Sequence, residues 1–219
     1  MASQAQPILR TPRLFLRLAD PSSESDSQEL LSLYNHPTLA KEFASGMRTH
    51  ADIQAKVRTH GPKADFCTKT SPPDGMWFLT YLLPSEEAET AFGTAGAEIT
   101  LIGSIALNFR DGMPYPDLGY AMLPQFQARG YATEAGQAVL KFWREDVGVK
   151  EVCIGTAPYN IPGQKLAEKL GFVRAGTFDV LIGRPPNQTR ETGGLGYVLP
   201  GMEWIEGRTM VLTVGADDS

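Results

Sequence analysis

One segment of the chain, residues 118–135, carries the residue types best suited to binding a charged ligand. It runs from an apolar stretch, through a short loop containing Arg129 and Gly130, into a pattern typical of a helix. The first backbone N–H groups of a helix have no acceptor inside the helix and lie at the positive end of its dipole. A phosphate or diphosphate can therefore accept hydrogen bonds from several of them, while Gly130 permits close approach and Arg129 adds positive charge.

The loop spacing leaves more than one interpretation open. Taken alone, Gln127-x-x-Gly130-x-Ala132 is equally typical of a strand-to-helix turn that needs a small residue. A nucleotide site is disfavoured, because neither a Gly-x-x-x-x-Gly-Lys-Ser/Thr loop nor a dinucleotide fingerprint accompanies the spacing. A second apolar stretch, ending at 156–160, is again followed by a helical pattern, so two strand-to-helix passages succeed one another.

The pattern of apolar residues predicts the elements that position this loop. Leucines at 14, 16 and 18 have the two-residue period of a half-buried strand, and a serine-rich stretch then precedes a helix that ends near Tyr34. Further strands are predicted at 76–83, 98–109, 117–123, 151–156, 178–182 and 208–214, with a Gly/Pro/Asn-rich stretch at 183–196. Further helices are predicted at about 50–57, from Thr133 to near Gly148, and from Pro162 to Gly171.

Length, charge and cysteine content limit the class of protein. The 219 residues, 42% of them hydrophobic, predict one domain over 1–219, with a loop insertion at about 84–97 and an irregular C-terminal extension at about 183–219. A formal net charge of −5 gives no basic surface for nucleic acid, and no apolar run is long enough to span a membrane. Cys67 and Cys153 match no disulfide framework or metal-ligand spacing, so we expect no metal and a cytoplasmic location.

Taken together, these motifs resemble the GCN5-related N-acetyltransferase (GNAT) superfamily, in particular the branch of ribosomal-protein N-terminal acetyltransferases. Gln127, Gly130 and Ala132 occupy the positions of its (Gln/Arg)-x-x-Gly-x-(Gly/Ala) acyl-CoA loop. The segments that also match are Thr11-Pro12-Arg13-Leu14, Ile102-Gly103-Ser104-Ile105, Tyr131-Ala132-Thr133-Glu134-Ala135, and Asn160 with Leu170-Gly171-Phe172. The resemblance covers most of the chain.

The resemblance implies a fold and a co-substrate. The fold is α+β, a mixed and mostly antiparallel sheet whose fourth and fifth strands splay apart, with helices on its faces. Acetyl-CoA would place its pantetheine arm between those strands and its diphosphate on the loop. The residues implied in binding it are Met122, Leu123, Gln127, Ala128, Arg129, Gly130, Tyr131, Ala132, Thr133, Asn160 and Gly163.

The implied reaction is direct attack of an amine on the thioester carbonyl. Backbone N–H groups near Met122 and Leu123 would stabilise the negative charge that develops on the carbonyl oxygen. Because the amine must first be neutral, a base belongs in the cleft, acting directly or through water. Asp117 is the favoured candidate and Glu98 the other, although each is more simply explained as a strand-end or surface carboxylate.

Two positions depart from the family pattern. Gly163 stands where many relatives have serine, and Ala167 stands where others have a tyrosine that protonates the leaving sulfur, so a tyrosine acid at 167 is excluded. A thiol leaves readily as a thiolate and needs little protonation. Tyr120 or Tyr159 could assist, and both are otherwise expected in the aromatic core or the cleft lining. The three histidines, His36, His50 and His60, are expected in surface or turn positions.

The sequence therefore supports one main function and keeps one alternative. The main function is transfer of an acetyl group from acetyl-CoA to a primary amine, either a protein N-terminus or a small molecule. The alternative, motivated by Gly163 and Ala167, is a non-catalytic acyl-CoA-binding sensor or interaction module. The acceptor amine and the oligomeric state, monomer or dimer, stay open.

Overall fold

A computed structural model describes residues 6–42, 47–83, 99–110, 112–182 and 189–212. The strands within these ranges are β1 Ile8–Arg10, β2 Leu14–Leu18, β3 Trp77–Leu82, β4 Thr100–Asn108, β5 Asp117–Met122, β6 Cys153–Thr156, β7 Val173–Ile182, β8 Thr189–Val198 and β9 Thr209–Leu212. The helices are α1 Glu24–Tyr34, α2 Leu39–Glu42, α3 His50–His60, α4 Tyr131–Lys141, extended by a π-helical turn over Phe142–Val147, and α5 Ile161–Lys169.

The described strands form one mixed sheet in the order β1-β2-β3-β4-β5-β6-β8-β7-β9. Neighbours run antiparallel except for β5 with β6 and β7 with β9, which run parallel. The β5–β6 ladder contains a single residue pair, Asp117 with Cys153, so these two strands separate directly after their first residues. The predicted α+β fold with splayed central strands is confirmed.

Helices cover both faces of the sheet. Ala135 and Val139 of α4 pack on one face with Leu14, Leu16 and Leu18 of β2. Leu30 and Leu33 of α1 and Ile53 of α3 pack on the other face. The prediction that β2 is half-buried is therefore wrong, because Phe15, between the leucines, is also only 2% exposed on the α1 side.

Side-chain caps explain where the helices begin. The Ser23 side chain accepts from the Asp26 N–H before α1, and Thr49 and Asp52 form a capping box before α3. Helix α3 extends three residues beyond the predicted end and carries His60 against the core. His60 is 3% exposed, so the surface or turn position predicted for this histidine is wrong.

The C-terminal part is more regular than the sequence indicates. Residues 189–198 form β8, which lies between β6 and β7, whereas the sequence predicts an irregular extension. The glycines responsible for that prediction lie under aromatic rings. A Cβ on Gly194 would lie 2.8 Å from Phe178 Cζ, and one on Gly196 would lie 2.6 Å from Trp204 Cη2. Residues 84–98 and 213–219, including the predicted loop insertion, lie outside the described residues.

The sequence predicts no apolar run long enough to span a membrane, and the helices of the structure can be compared with that prediction. Among the residues that the structure describes, no helix has the length and apolar character needed to cross a bilayer.

Candidate active site

A backbone cradle lies where the chain passes from β5 into α4. Gly130 directly precedes α4 and has a φ of 84°, in the left-handed region that a residue with a Cβ adopts only with strain. The Glu134 N–H donates to the Gly130 carbonyl at 3.1 Å and makes the first bond of the helix. The three amides at 131–133 consequently have no acceptor within the helix, so this terminus can bind an anion.

The loop before the cradle is held in a fixed shape. The Gln127 side chain donates from Nε2 to the Met122 carbonyl at 2.9 Å, which closes the loop onto the end of β5. Ala128 has a φ of 59°, which is uncommon for a residue other than glycine and is typical of strained ligand-binding loops. The predicted coenzyme-binding residues of this segment lie in the loop and in the first turn of α4: Gln127, Ala128, Arg129, Gly130, Tyr131, Ala132 and Thr133.

The gap between β5 and β6 presents backbone donors. The Leu123 N–H donates to the Ile102 carbonyl of the β4 side at 2.8 Å. Because backbone groups alternate in direction along a strand, the N–H groups of Tyr120 and Met122 point the other way, towards β6. Of the two predicted oxyanion donors, Leu123 is already bonded within the sheet, and Met122 faces the gap.

The first turn of α5 forms the opposite wall of this gap. The Asn160 side chain caps the helix by accepting from the Gly163 N–H at 3.0 Å. The Tyr120 hydroxyl donates across the gap to the Gly163 carbonyl, also at 3.0 Å. A Cβ on Gly163 would lie 2.5 Å from Asn160 Nδ2 and 2.7 Å from the Tyr120 hydroxyl. This crowding accounts for glycine where many relatives carry serine.

The two tyrosines considered as proton donors lie in different surroundings. Burial raises the pKa of Tyr120 to about 12, so its hydroxyl keeps its proton at neutral pH and stays a donor. Tyr159, in contrast, is 80% exposed, so the expectation of a core or cleft position is wrong for this residue. Ala167 is fully buried in the core and presents no polar group.

The favoured base, Asp117, lies at the start of β5 and is 4% exposed. Arg110 donates from Nε to its Oδ1 at 2.7 Å, and Asn108 donates from Nδ2 to its Oδ2 at 3.3 Å. By the alternation of β5, Asp117 shares the α1 and α3 face with Ala121. Glu98 lies outside the described residues. The role of either carboxylate as the base stays a prediction.

A lysine that the sequence did not single out, Lys56, lies near enough to Asp117 and Arg110 to interact electrostatically with both. Lys56 lies on the side of α3 that packs on the sheet, between Ile53 and His60, which are both buried. Burial lowers the pKa of Lys56 to about 7, Arg110 lowers it further and Asp117 partly compensates. Arg110 Nη1 is also buried without an acceptor among the described residues. When Lys56 is protonated, these three side chains carry two positive charges and one negative charge beneath α3.

This half-buried lysine predicts an unusual pH dependence of stability. The folded-state pKa lies near 7 and the ordinary value is 10.5, so between these values the unfolded chain binds more protons and stability rises with pH. Lys56→Met is therefore expected to raise the free energy of unfolding at pH 6.5 by about 2 kcal/mol, allowing for screening at a partly exposed side chain. The gain should shrink as the pH approaches 10.

Urea denaturation at pH 6.5 and pH 9.5 measures this effect. Lys165→Met, on the exposed side of α5, is the matched control and should show no such difference between the two pH values. A gain for Lys56→Met that is equal at both pH values would contradict the assignment of a depressed pKa.

The described residues give no metal ligands. No cluster of three or more His, Cys, Asp or Glu side chains in the described ranges is arranged to hold a metal ion. Cys67 and Cys153 are both unpaired, and Cys153 lies buried opposite Asp117.

Known proteins match the chain along much of its length. Residues 13–173 match the family model described as "Acetyltransferase (GNAT) domain". An uncharacterized N-acetyltransferase, YnaD of Bacillus subtilis, is 32% identical over 85 residues, which are 39% of this chain and only 50% of the relative. FsC-acetyl coenzyme A-N(2)-transacetylase of Aspergillus fumigatus is 23% identical over 216 residues, 94% of this chain and 81% of the relative.

Solved structures share the fold. A GNAT-family acetyltransferase from Bacillus anthracis superposes with a TM-score of 0.59 at 20% identity, covering 88% of this chain and 98% of its own. RimL, a ribosomal L7/L12 alpha-N-protein acetyltransferase solved in complex with coenzyme A, gives 0.57 at 14% identity, covering 88% and 97%. The predicted family and the predicted class of enzyme are confirmed. By its family match, its sheet and its loop, the chain belongs to the GNAT family of acetyltransferases.

Proposed function

We propose that the protein transfers the acetyl group of acetyl-CoA to a primary amine. The observation that carries this proposal is the left-handed Gly130, whose loop presents three amides without helical acceptors at the open end of two diverging strands. A diphosphate fits this cradle because it can accept several hydrogen bonds at once. The pantetheine arm attached to that diphosphate would then enter the gap between β5 and β6, where its amide groups can pair with free backbone groups.

Residues on both sides of the gap fit acetyl-CoA. The amides at 131–133 and the Arg129 side chain would hold the diphosphate, while Gln127 keeps the loop in place through the Met122 carbonyl. Asn160 and Gly163 form the first turn of α5 on the other side. RimL, which shares this fold, is described in complex with coenzyme A, and this supports coenzyme A as the ligand here.

The chemistry needs few protein groups. A neutral amine held against the thioester attacks its carbonyl carbon, and positioning alone removes a large part of the barrier. The Met122 N–H faces the gap and would donate to the carbonyl oxygen as negative charge develops on it. The leaving thiolate needs little protonation because thiols are acidic compared with alcohols. The amine proton passes to a base, for which Asp117 is the candidate, or to water.

The acceptor is a primary amine on a peptide or a small molecule. Among the proteins similar to this chain, RimL is described as a protein N-terminal acetyltransferase, and the A. fumigatus relative as an N(2)-transacetylase. These descriptions support an amine acceptor and are compatible with both a peptide and a small molecule.

A second function, binding acyl-CoA without catalysis, follows from two observations. The Asp117 carboxylate is paired with Arg110, and Ala167 offers no proton donor on α5. A sensor or interaction module would bind acyl-CoA at this site without transferring its acyl group.

One pair of measurements separates these functions. Calorimetric titration with CoA tests the site, and thiol release from acetyl-CoA in the presence of N-terminal peptides, polyamines and aminoglycosides tests catalysis. We expect saturable CoA binding and thiol release with at least one amine. Binding without any turnover across the panel would favour the non-catalytic module, and absence of CoA binding would reject both functions.

A further inference from the structure

Thr11 and Arg13, near the N-terminus, both bind the Glu134 carboxylate in the first turn of α4. The Arg13 backbone N–H donates to Glu134 Oε1 at 3.0 Å, and Arg13 Nε donates to Oε2 at 2.7 Å. Arg13 Nη2 lies 2.6 Å from the same Oε2, and the Thr11 hydroxyl donates to Oε1 at 2.5 Å. More than 120 positions separate these partners, so the contacts tie the β1–β2 turn to the start of α4.

The same arginine also reaches the coenzyme loop. Arg13 Nη1 donates to the Arg129 carbonyl at 3.1 Å, and its guanidinium lies 4.6 Å above the centre of the Tyr131 ring. Arg13 Nη2 would lie 3.4 Å from a Cβ on Gly130. One side chain thus contacts or borders three consecutive residues at the passage from loop to helix.

The charge of Glu134 explains why its contacts with Thr11 and Arg13 affect the coenzyme site. Burial raises the pKa of Glu134, but hydrogen bonds from Thr11 and Arg13 outweigh burial and lower the pKa below its ordinary value. The carboxylate is therefore ionised at neutral pH, about one helical turn from the amides of the cradle. A helix N-terminus stabilises such a charge. A diphosphate at the same terminus, however, would be repelled by it unless a cation neutralised the carboxylate.

We propose that Arg13 is a positioning residue of the acetyl-CoA site, which neutralises Glu134 and fixes the 129–131 backbone so that the diphosphate can bind. This proposal rests on the proposed function. Arg13 acts here through Glu134 and the Arg129 carbonyl, and the coenzyme itself is held by the loop amides. The Thr11-Pro12-Arg13-Leu14 segment thereby gains a function in a site more than 110 positions away.

A double-mutant cycle tests the proposal by calorimetric titration with CoA in low salt. Arg13→Gln exposes the uncompensated Glu134 charge and should weaken CoA binding about tenfold, with a smaller loss at 0.5 M NaCl because salt screens the repulsion. Glu134→Gln should bind at least as tightly as the unmodified protein. The double variant, Arg13→Gln with Glu134→Gln, should recover to within about threefold of it. Arg174→Gln, which removes an exposed charge on β7, is the control and should leave binding unchanged.

The outcomes distinguish a failure of the role proposed for Arg13 from a failure of the proposed acetyltransferase function. If the unmodified protein does not bind CoA, the proposed function and this proposal both fail. If it binds CoA and Arg13→Gln binds equally well, only the role of Arg13 is overturned. If the double variant stays as weak as Arg13→Gln, neutralisation of Glu134 is rejected, because a lost direct contact or a distorted loop would persist without that charge.

Discussion

Gly130→Glu is expected to weaken CoA binding at least a hundredfold while the protein remains folded. The substitution places a carboxylate at the mouth of the amides 131–133, where it repels the diphosphate and competes with it for the same donors. The left-handed φ of 84° adds backbone strain of about 1–2 kcal/mol, which a folded domain can tolerate. Calorimetric titration with CoA measures the loss, and thermal unfolding monitors the fold.

Two controls separate charge from strain in this experiment. Gly130→Ala introduces the strain without the charge and should weaken CoA binding much less. Gly201→Glu introduces both at a glycine with a φ of 86° and open space around it, in the turn between β8 and β9. That variant should bind CoA normally. A folded Gly130→Glu protein with unchanged affinity would place the coenzyme elsewhere and reject the loop at 127–133 as its binding site.

Asp117→Asn is expected to lower the free energy of unfolding by about 3 kcal/mol, because it leaves the buried Arg110 guanidinium without its carboxylate partner. Asp179→Asn is the matched control: Asp179 also pairs with an arginine, Arg190, but at the surface, where such a pair contributes less than about 1 kcal/mol. At a pH below the pKa of Lys56, adding Lys56→Met to Asp117→Asn removes a second positive charge near Arg110 and should recover part of the loss. Equal losses for Asp117→Asn and Asp179→Asn would contradict the buried cluster.

The same variant tests the base. With an acceptor in hand, Asp117→Asn should lower kcat/KM at neutral pH and remove the acidic limb of its pH profile. An unchanged profile in a folded variant would show that Asp117 serves the Arg110 ion pair alone. The measurement is made well below the unfolding temperature, so that the loss of stability does not enter the rate.

Local sequence was sufficient to predict the loop and its helices. Gly130, Pro162 and Gly171 restrict the backbone conformation of their own neighbourhood, so their positions alone mark where α4 and α5 begin and end. Runs of β-branched, aromatic and aliphatic residues likewise predicted β3 and β4 to within two residues at each end, because these residue types favour strands through their own side chains. The sequence settled only part of the assignment of the oxyanion donors. Strand alternation shows that the N–H groups of Met122 and Leu123 point in opposite directions, but the pairing of β5 with β4 decides which of them faces the gap.

What the sequence by itself determined is therefore the family, through several short motifs, and the passage from strand through loop to helix at 118–135, while the splayed sheet followed from the resemblance to that family. Tertiary structure alone decided three things. It made a strand of 189–198 by placing Phe178 and Trp204 over glycines that locally resemble a loop. It also assembled Lys56 with Asp117 and Arg110, and Arg13 with Glu134. The energy of a charge depends on the burial and the partners that folding brings to it, and neither is encoded in the spacing of its neighbours.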